Sequence, residues 1–323
     1  MRKILITGFG GFVSNHFIDF IQKLDNSYDI FGVSRSFISR PNIIKSRFNH
    51  IIMDLKQESS VYELIRSIEP DYVIHLASNS SVAYSWSEPV KSFQNNTNIF
   101  LNLVEAIRVC NLKSRVLSVG SSEEYGVVDL NDLPLKEDSK LNPISPYAVA
   151  RVSQELISTI YTKGYGVDIV KTRSFNHIGP GQSSNFVISS FARQIVERKL
   201  GIAVGPIKVG NLEVVRDFID VRDVVSAYWN ILLYGKAGEV YNVCSGTGFS
   251  INQVLKKMIE ISGVNCTIEV QHDLIRPIDN PIIIGDNNKI LRDCNWKPDY
   301  LIENSLIDIM NYWNSNLINH KKD

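Results

Sequence analysis

The sequence is short of cysteine, has no surplus of either charge and contains no long apolar run. Its four cysteines, Cys110, Cys244, Cys266 and Cys294, stand far apart without a CxxC pair, which argues against a zinc site and against a disulfide framework. Lysine plus arginine equals aspartate plus glutamate at 34 each, so charge gives no reason to expect a nucleic acid or an anionic membrane as partner. No apolar run is long enough to cross a bilayer, and no apolar signal core follows Met1. We therefore expect a cytoplasmic protein with reduced thiols, no metal, and neither nucleic acid nor membrane as partner.

What the sequence does have is an alternation of short apolar runs with helical patterns along its first half. The apolar runs are 3–7, 30–33, 50–53, 72–77, 115–119 and 167–171. Helical spacing of apolar residues marks 58–68 and 91–110, the second with a stripe of Leu101, Val104 and Ile107. This rhythm predicts βαβ units and an α/β fold with a doubly wound parallel sheet of the Rossmann type. Ligands of such sheets bind beyond the carboxyl ends of the strands.

A glycine-rich turn joins the first predicted strand to the first predicted helix. Gly8 permits a tight turn, and Gly11 lets backbone amides approach a pyrophosphate at the helix N-terminus. Ser14 stands where a third glycine would allow close packing of helix on strand, and serine is small enough to be tolerated. Strand, glycine turn and helix are the context that a dinucleotide fingerprint requires, so we predict a dinucleotide site; the alternative is a structural loop.

The end of the second predicted strand indicates which dinucleotide binds. An NAD site would carry an acid there to bond the ribose 2′-hydroxyl, whereas this strand ends at Ser34 and Arg35. Because a serine and an arginine suit a 2′-phosphate, we expect NADP, with NAD as the alternative. Arg35 as a solvated loop residue is the competing interpretation. Asp54, at the end of the third predicted strand, is a candidate contact to the adenine.

The stretch 145–151 carries the candidate catalytic pair. Ser145 suits an N-cap and Pro146 the first helical position, so we expect a helix to begin here. Tyr147 and Arg151 are four apart and so share one face of that helix. A nearby positive charge favours the ionised form of a phenol, which can then accept the proton of an alcohol that is being oxidised. The alternative is an ordinary amphipathic helix with an exposed pair.

A second polar cluster follows the fifth predicted strand and therefore lies at the ligand edge of the sheet. It comprises Ser121, Ser122 and Glu123 within the loop 120–126. Hydroxyls and a carboxylate at this edge are suited to making and breaking bonds, and the alternative is a turn with capping serines.

Together these motifs resemble those of the extended short-chain dehydrogenase/reductase family, over essentially the whole chain. The fingerprint 7–14, the loop 121–126 and the Tyr147 helix occur in that family's order and spacing. Three later stretches are similar to those of the GDP-mannose 4,6-dehydratase branch and of its relative, the GDP-4-keto-6-deoxymannose reductase. They are 173–181, 209–223 and 241–243.

The resemblance also implies a smaller, discontinuous C-terminal substrate domain, because the rhythm of the sheet loosens after residue 175. We expect an NADP-binding Rossmann domain over 1–175 plus roughly 238–248. The remaining segments, 176–237 and 249–323, would bind the nucleotide sugar. Within them we expect a helix that begins at the N-cap Ser250 and is closed by Gly263.

The resemblance assigns a role to each residue that matches the family's motifs. Tyr147 matches the catalytic tyrosine, Glu123 the carboxylate of the dehydratases, and Ser121 or Ser122 the hydroxyl that polarises O4 or serves as an acid. The family's lysine, four residues after the tyrosine, is Arg151 here, which keeps the charge but reaches the nicotinamide ribose with a planar fork. The substrate-binding positions are Asn176, Arg216, Asn242 and Arg276, the two arginines holding the diphosphate. The other implied cofactor contacts are Gly8, Gly10, Gly11, Phe12, Val13, Arg35, Asp54, Leu55, Leu76, Ala77 and Asn96.

The resulting hypothesis is a nucleotide-sugar 4,6-dehydratase that yields a 4-keto-6-deoxy sugar by internal hydride transfer through bound NADP. A GDP-linked hexose such as GDP-mannose or GDP-N-acetylglucosamine is the implied substrate. The alternatives are an NADPH-dependent 4-reductase of a GDP-4-keto-6-deoxyhexose, and a cofactor-binding regulatory protein without turnover. The family commonly dimerises through helices near 91–110 and 147–163, so the resemblance implies a homodimer or homotetramer.

Overall fold

The computed structural model describes residues 2–24, 28–38, 47–275 and 278–319. Within these residues the strands are β1 (Arg2–Thr7), β2 (Tyr28–Ser34), β3 (Phe48–Ile52), β4 (Tyr72–His75), β5 (Arg115–Ser121), β6 (Ile169–Ser174), β7 (Asn176–Ile178), β8 (Ile207–Val209), β9 (Val215–Asp220), β10 (Val240–Val243), β11 (Gly248–Ser250), β12 (Ile268–Val270) and β13 (Ile282–Ile283). The α-helices are α1 (Phe12–Leu24), α2 (Glu58–Ile68), α3 (Val82–Ser87), α4 (Pro89–Val109), α5 (Pro146–Tyr165), α6 (Val187–Lys199), α7 (Val221–Tyr234), α8 (Ile251–Ser262), α9 (Asn288–Cys294) and α10 (Ile302–Asn319).

The main sheet has seven strands in the spatial order β10-β6-β5-β4-β1-β2-β3. Every neighbouring pair in it runs parallel, which requires crossover connections, and helices supply most of them. From β1 the chain builds outward in one direction to β3 and then in the other through β4, β5 and β6. The predicted doubly wound α/β sheet is therefore confirmed.

Helices cover both faces of this sheet, which divides its core in two. In β1, Ile4 and Ile6 pack into the cluster beneath α1, α7 and α9, whereas Leu5 packs into the cluster beneath α2, α4 and α5. That alternation is the two-residue period of a strand buried on both faces. Helix α7, which we expected in the substrate domain, packs against α1 on the main sheet. The domain boundaries themselves stay a prediction.

Local signals place the helix ends well. Ser145 Oγ accepts a hydrogen bond from the Ala148 amide (3.1 Å), and Pro146 is the first residue of α5, as predicted. Ser250 caps α8, and Gly263 closes it in the left-handed conformation (φ 68°). The apolar stripe predicted for α4 is correct at Val104 and Ile107 but wrong at Leu101, which is 38% exposed. The buried face runs instead through Phe100 and Leu103, and Leu101 lies one helical step outside it.

A smaller lobe completes the fold around its own core. Strand β9 lies at its centre and pairs with β7, β11 and β13, while β8 pairs with β12. Helices α6, α8 and α10 bury their apolar faces against one another and against these strands. In the described part of the chain, no helix is both long enough and apolar enough to span a membrane.

Candidate active site

The glycine turn brings the end of β1 against the segment that follows β4. Gly8 has φ 75°, and a Cβ at this position would lie 2.7 Å from the Ala77 amide nitrogen. Gly10 has φ 90°, and its missing side chain leaves room for Ile38. Both positions therefore demand glycine, because neighbouring protein atoms fill the space that a side chain would need. The tight turn lies at the carboxyl end of β1, the edge at which sheets of this type bind a dinucleotide.

The N-terminus of α1 opens onto the same edge. Phe12 and Val13 are its first residues, and the first amides of a helix lack intrahelical acceptors and so favour an anion. Ser14, in place of the family's third glycine, is buried and donates its hydroxyl to the Gly11 carbonyl (3.0 Å). The Ser14 hydroxyl therefore has its hydrogen-bond partner within the turn. The serine in place of the third glycine leaves the turn intact.

The residues predicted to contact the adenosine lie at the carboxyl ends of β2 and β3. Arg35 is exposed just beyond β2. Ser34 donates its hydroxyl to the Ser36 carbonyl (2.6 Å) and lies 2.7 Å from His50 Nε2. Because the single hydroxyl proton goes to the carbonyl, the imidazole is the donor in the second contact. Asp54 follows β3 and accepts the Lys56 amide (3.1 Å).

Leu55, Leu76, Ala77 and Asn96 were expected along the cofactor as well. Leu55 is buried, and Leu76 and Ala77 follow β4 directly. Asn96 in α4 is fully buried, where its Oδ1 accepts the Asn79 amide (2.9 Å) and its Nδ2 donates to the Asn79 carbonyl (3.3 Å). Asn96 thus holds the loop after β4 in place.

Tyr147 and Arg151 form a pair on the face of α5 that is turned towards the sheet. Both residues are buried, and Arg151 Nε donates to the Tyr147 phenol oxygen (3.2 Å). Arg151 Nη1 donates to Gln154 Oε1 (2.6 Å) and to the Val119 carbonyl of β5 (3.1 Å). A guanidinium held by these contacts can stabilise negative charge on the phenol oxygen. The interpretation of the pair as exposed residues of an amphipathic helix is wrong.

Gln154 is a residue that the sequence reasoning missed. Its Nε2 donates to Ser118 Oγ (2.9 Å), so it ties Arg151 to strand β5. The spacing alone could have indicated this contact, because Gln154 lies three residues after Arg151 and therefore on the same helical face.

The loop after β5 folds into a short 3-10 turn, Ser122–Tyr125, that packs against α5. Ser121 Oγ accepts the Glu123 amide (3.2 Å), while the Ser121 amide donates to Glu124 Oε1 (2.7 Å). Ser121 and Ser122 are buried and Glu123 is half-buried. The structure thus brings the three predicted loop residues and the helix of Tyr147 to the same edge of the sheet.

Two of the predicted substrate positions lie in the smaller lobe. Asn176 begins β7 immediately beyond β6 and is half-buried. Arg216 in β9 is buried, where it pairs with Asp279 (2.5 Å) and donates to the Asn280 carbonyl (2.7 Å). A diphosphate would therefore bind beside Asp279 or displace it. Arg276 lies outside the described residues.

Asn242 was also expected at the substrate, but its side chain is fully buried. Its Oδ1 accepts the Tyr125 hydroxyl (2.7 Å), and its Nδ2 donates to the Leu135 carbonyl (2.8 Å). These hydrogen bonds join β10 to Tyr125 and to the segment around Leu135. We therefore leave Asn242 out of the proposed substrate contacts. Among the described residues no cluster of three or more His, Cys, Asp or Glu side chains is arranged to hold a metal.

The sheet, the glycine turn and the Tyr–Arg pair are those of an enzyme of the short-chain dehydrogenase/reductase type. The family described as GDP-mannose 4,6 dehydratase matches residues 5–309, so the chain belongs to that family.

Among curated relatives, the chain is similar to a GDP-6-deoxy-D-mannose reductase of Pseudomonas aeruginosa, with 32% identity over 97% of this chain and 98% of the relative. It is 25% identical to a GDP-mannose 4,6-dehydratase of Yersinia enterocolitica, over 94% of this chain and 91% of the relative.

Solved structures show the same fold. RMD from Pseudomonas aeruginosa complexed with NADPH superimposes with a TM-score of 0.86 at 31% identity, covering 98% of this chain and all of that one. UDP-glucose 4-epimerase of Thermotoga maritima with UDP-glucose gives 0.88 at 26% identity, with the same coverage.

Proposed function

We propose that this chain carries out hydride chemistry at C4 of a GDP-linked hexose. The first candidate activity is that of a 4,6-dehydratase. The observation that carries this proposal is Glu123, a half-buried carboxylate in the loop that packs against the helix of Tyr147. A reductase has no need of a base in this place, because reducing a ketone removes no carbon-bound proton.

NADP is the proposed cofactor, supported by the glycine turn, by Arg35 at the end of β2 and by the relative that was solved with NADPH. Gly8, Gly10 and Gly11 would lie under the pyrophosphate, and the amides of Phe12 and Val13 would donate to it. When bound, NADP supplies a nicotinamide carbon that takes up a hydride and later gives it back.

Tyr147 and Arg151 would act in the first half of the reaction. The Tyr147 oxygen removes the proton from the O4 hydroxyl while the C4 hydride departs, which leaves a 4-ketone. Arg151 Nε, 3.2 Å from that oxygen, stabilises the negative charge on it. The hydroxyl of Ser121 or Ser122 donates to O4 and polarises it.

Glu123 would act in the second half. The new ketone makes the C5 proton acidic, and Glu123 removes it. Water leaves from C6 after its oxygen is protonated by a serine hydroxyl or by Glu123, which now carries the C5 proton. The hydride that left C4 returns to C6, and the proton that Tyr147 took from O4 goes to C5. The product is a 4-keto-6-deoxy sugar and no reductant is consumed.

The guanine nucleotide is proposed from the relatives, whose names specify GDP-linked sugars. Asn176 and Arg216 are the described residues that we propose at the sugar and the diphosphate. Arg216 suits this function because a guanidinium can bind a phosphate with two parallel hydrogen bonds.

A 4-reductase of a GDP-4-keto-6-deoxyhexose is the second candidate. The reductase relative is 32% identical to this chain, whereas five GDP-mannose 4,6-dehydratases that align with it are 25% to 28% identical. In this case Tyr147 would donate its proton to the reduced O4, and Glu123 would orient the substrate.

Product analysis distinguishes the candidates. A panel of nucleotide sugars, with and without NADPH, would be incubated with the protein and analysed by mass spectrometry. Loss of water from GDP-mannose without added NADPH supports the dehydratase. NADPH consumption in equal amount to a GDP-4-keto-6-deoxyhexose supports the reductase, and binding of sugars without turnover contradicts both.

We also propose a homodimer formed through α4 and α5. These neighbouring helices expose apolar side chains, among them Phe93, Leu156 and Ile160, the last two 59% and 61% exposed. Apolar side chains grouped in this way mark interaction surfaces. A cytoplasmic location stays a prediction.

A further inference from the structure

The carboxyl group of Glu124 is fully buried directly beneath the Ser121–Glu123 loop. Its Oε1 accepts the Ser121 amide at 2.7 Å. Gly120 leaves the space that this oxygen occupies, since a Cβ there would lie 2.3 Å from it. The other oxygen, Oε2, is buried and meets no donor among the described residues.

A second carboxyl group, that of Glu155 in α5, lies within hydrogen-bonding reach of the Glu124 carboxyl group. Glu155 is held by Arg173 of β6 through two parallel hydrogen bonds, of 2.9 Å from Nε and 2.8 Å from Nη2. A guanidinium fork of this kind fixes Glu155 as the carboxylate of the pair.

Two ionised carboxylates cannot share a buried site with one guanidinium at little cost, because each lacks water and repels the other. We infer that Glu124 carries a proton and donates it through Oε2 to Glu155, and that this hydrogen bond positions the Ser121–Glu123 loop on the helix of Tyr147 and Arg151. The proton gives the orphaned oxygen a partner and leaves one negative charge opposite Arg173.

Glu124 is thus a positioning residue. It belongs to the 3-10 turn Ser122–Tyr125, which also contains Glu123, and Glu155 lies one helical turn after Arg151. The shared proton therefore joins the loop that carries the proposed acid–base groups to the helix that carries the tyrosine. Loss of this hydrogen bond would shift the Ser121–Glu123 loop relative to the helix of Tyr147. Reaction rates are sensitive to such shifts in the relative position of catalytic groups.

Charges around the pair agree with this assignment. Burial, together with the neighbouring charge of Glu155, raises the pKa of Glu124 to about 8. Burial would also raise the pKa of Glu155, but the hydrogen bonds and charge of Arg173, with Lys171 beyond it, lower the pKa of Glu155 instead. Because the folded pKa of Glu124 exceeds its unfolded value, its contribution to stability is complete below pH ~4.3 and is lost as the pH rises through about 8.

The test compares Glu124→Gln and Glu124→Leu with the wild type. Glutamine can accept the Ser121 amide and donate to Glu155 without a titrating proton, whereas leucine can do neither. We expect E124Q to stay folded and active near pH 7, and its melting temperature to fall less than that of the wild type between pH 7 and pH 9. E124L should lose about 10- to 100-fold in kcat. An infrared band of a protonated buried carboxyl group should be present in the wild type at pH 7 and absent from E124Q.

Glu197→Gln is the matched control, because the half-buried Glu197 pairs with the exposed Arg193 of α6, far in sequence from the Glu124 pair, and its loss should leave the alkaline change in melting temperature as in the wild type. Equal alkaline losses of stability in E124Q and the wild type, or no difference in the infrared band, would overturn the assignment of the proton. A kcat for E124L equal to that of the wild type would overturn the positioning role. The kinetic readout rests on the proposed function, but the melting and infrared readouts need no substrate, so failure of one is distinguishable from failure of the other.

Discussion

Replacing Arg151 by methionine tests whether this guanidinium acts on the reaction through the Tyr147 oxygen. Methionine fills a similar length without a charge or a donor, so the contact of 3.2 Å to the phenol oxygen is lost. The Gln154 Oε1 and Val119 carbonyl acceptors lose the same cation. We expect kcat to fall about 10²- to 10³-fold, as when one donor to a developing negative charge is removed.

The stability cost can be estimated from the same contacts. A buried acceptor left without its donor costs about 1–3 kcal/mol, against a typical total of about 5–15 kcal/mol for a folded protein. Arg151→Met removes this donor from Gln154 Oε1, whereas the Val119 carbonyl still accepts from Gln154 Nε2 (3.2 Å). The variant should therefore fold but melt earlier, and its activity should be measured well below its melting temperature. Arg151→Lys keeps the charge but not the fork, so it should recover much of the lost turnover and little of the stability.

A double-mutant cycle with Tyr147→Phe gives the decisive comparison. Removing the phenol oxygen alone should cost about 10²- to 10⁴-fold in kcat, the usual contribution of a general acid or base. If Arg151 acts only through that oxygen, the double variant should be no slower than Tyr147→Phe by itself. Arg193→Met, on the surface of α6, is the control for loss of an arginine. If the separate losses in kcat multiply in the double variant, Arg151 does not act through the Tyr147 oxygen.

Three further predictions follow from the cofactor turn and from the exposed helices. Gly8→Ala should abolish NADP binding, measured by fluorescence titration, because φ 75° strains an alanine and its Cβ would lie 2.7 Å from the Ala77 amide; unchanged affinity would contradict the turn. Arg35→Ala should weaken NADP about 10-fold or more and NAD hardly at all, since a charged hydrogen bond contributes about 1.5–3 kcal/mol; equal losses for both would remove Arg35 from the 2′-phosphate. Leu156→Glu should convert the proposed dimer to a monomer in analytical ultracentrifugation, whereas an unchanged mass would place the interface elsewhere.

The features that could be predicted from the sequence are those that depend on nearby residues. The apolar runs predicted six of the seven strands of the main sheet, whereas β10 was expected there only from the family resemblance. The residue types at Ser145, Ser250 and Gly263 predicted where helices begin and end. Capping and strand periodicity depend on neighbours a few residues away, so a single sequence contains the whole of such a signal.

Contacts between distant residues could not be predicted in this way. Asn242 was expected at the substrate, and its true partner, Tyr125, is 117 residues away. The carboxylate that pairs with Arg216 lies 63 residues further along the chain. No spacing rule connects such positions, and the fold alone brings them together.

Following a deuterium atom from C4 of the sugar is the most direct test of the proposed internal hydride transfer. The protein, with NADP bound and no NADPH added, would be incubated with GDP-mannose deuterated at C4, and the product analysed by mass spectrometry and NMR. We expect a 4-keto-6-deoxy product that carries the deuterium at C6, and no such transfer in Tyr147→Phe. A dehydrated product whose deuterium is lost to water, or transfer that persists in Tyr147→Phe, would contradict this proposal.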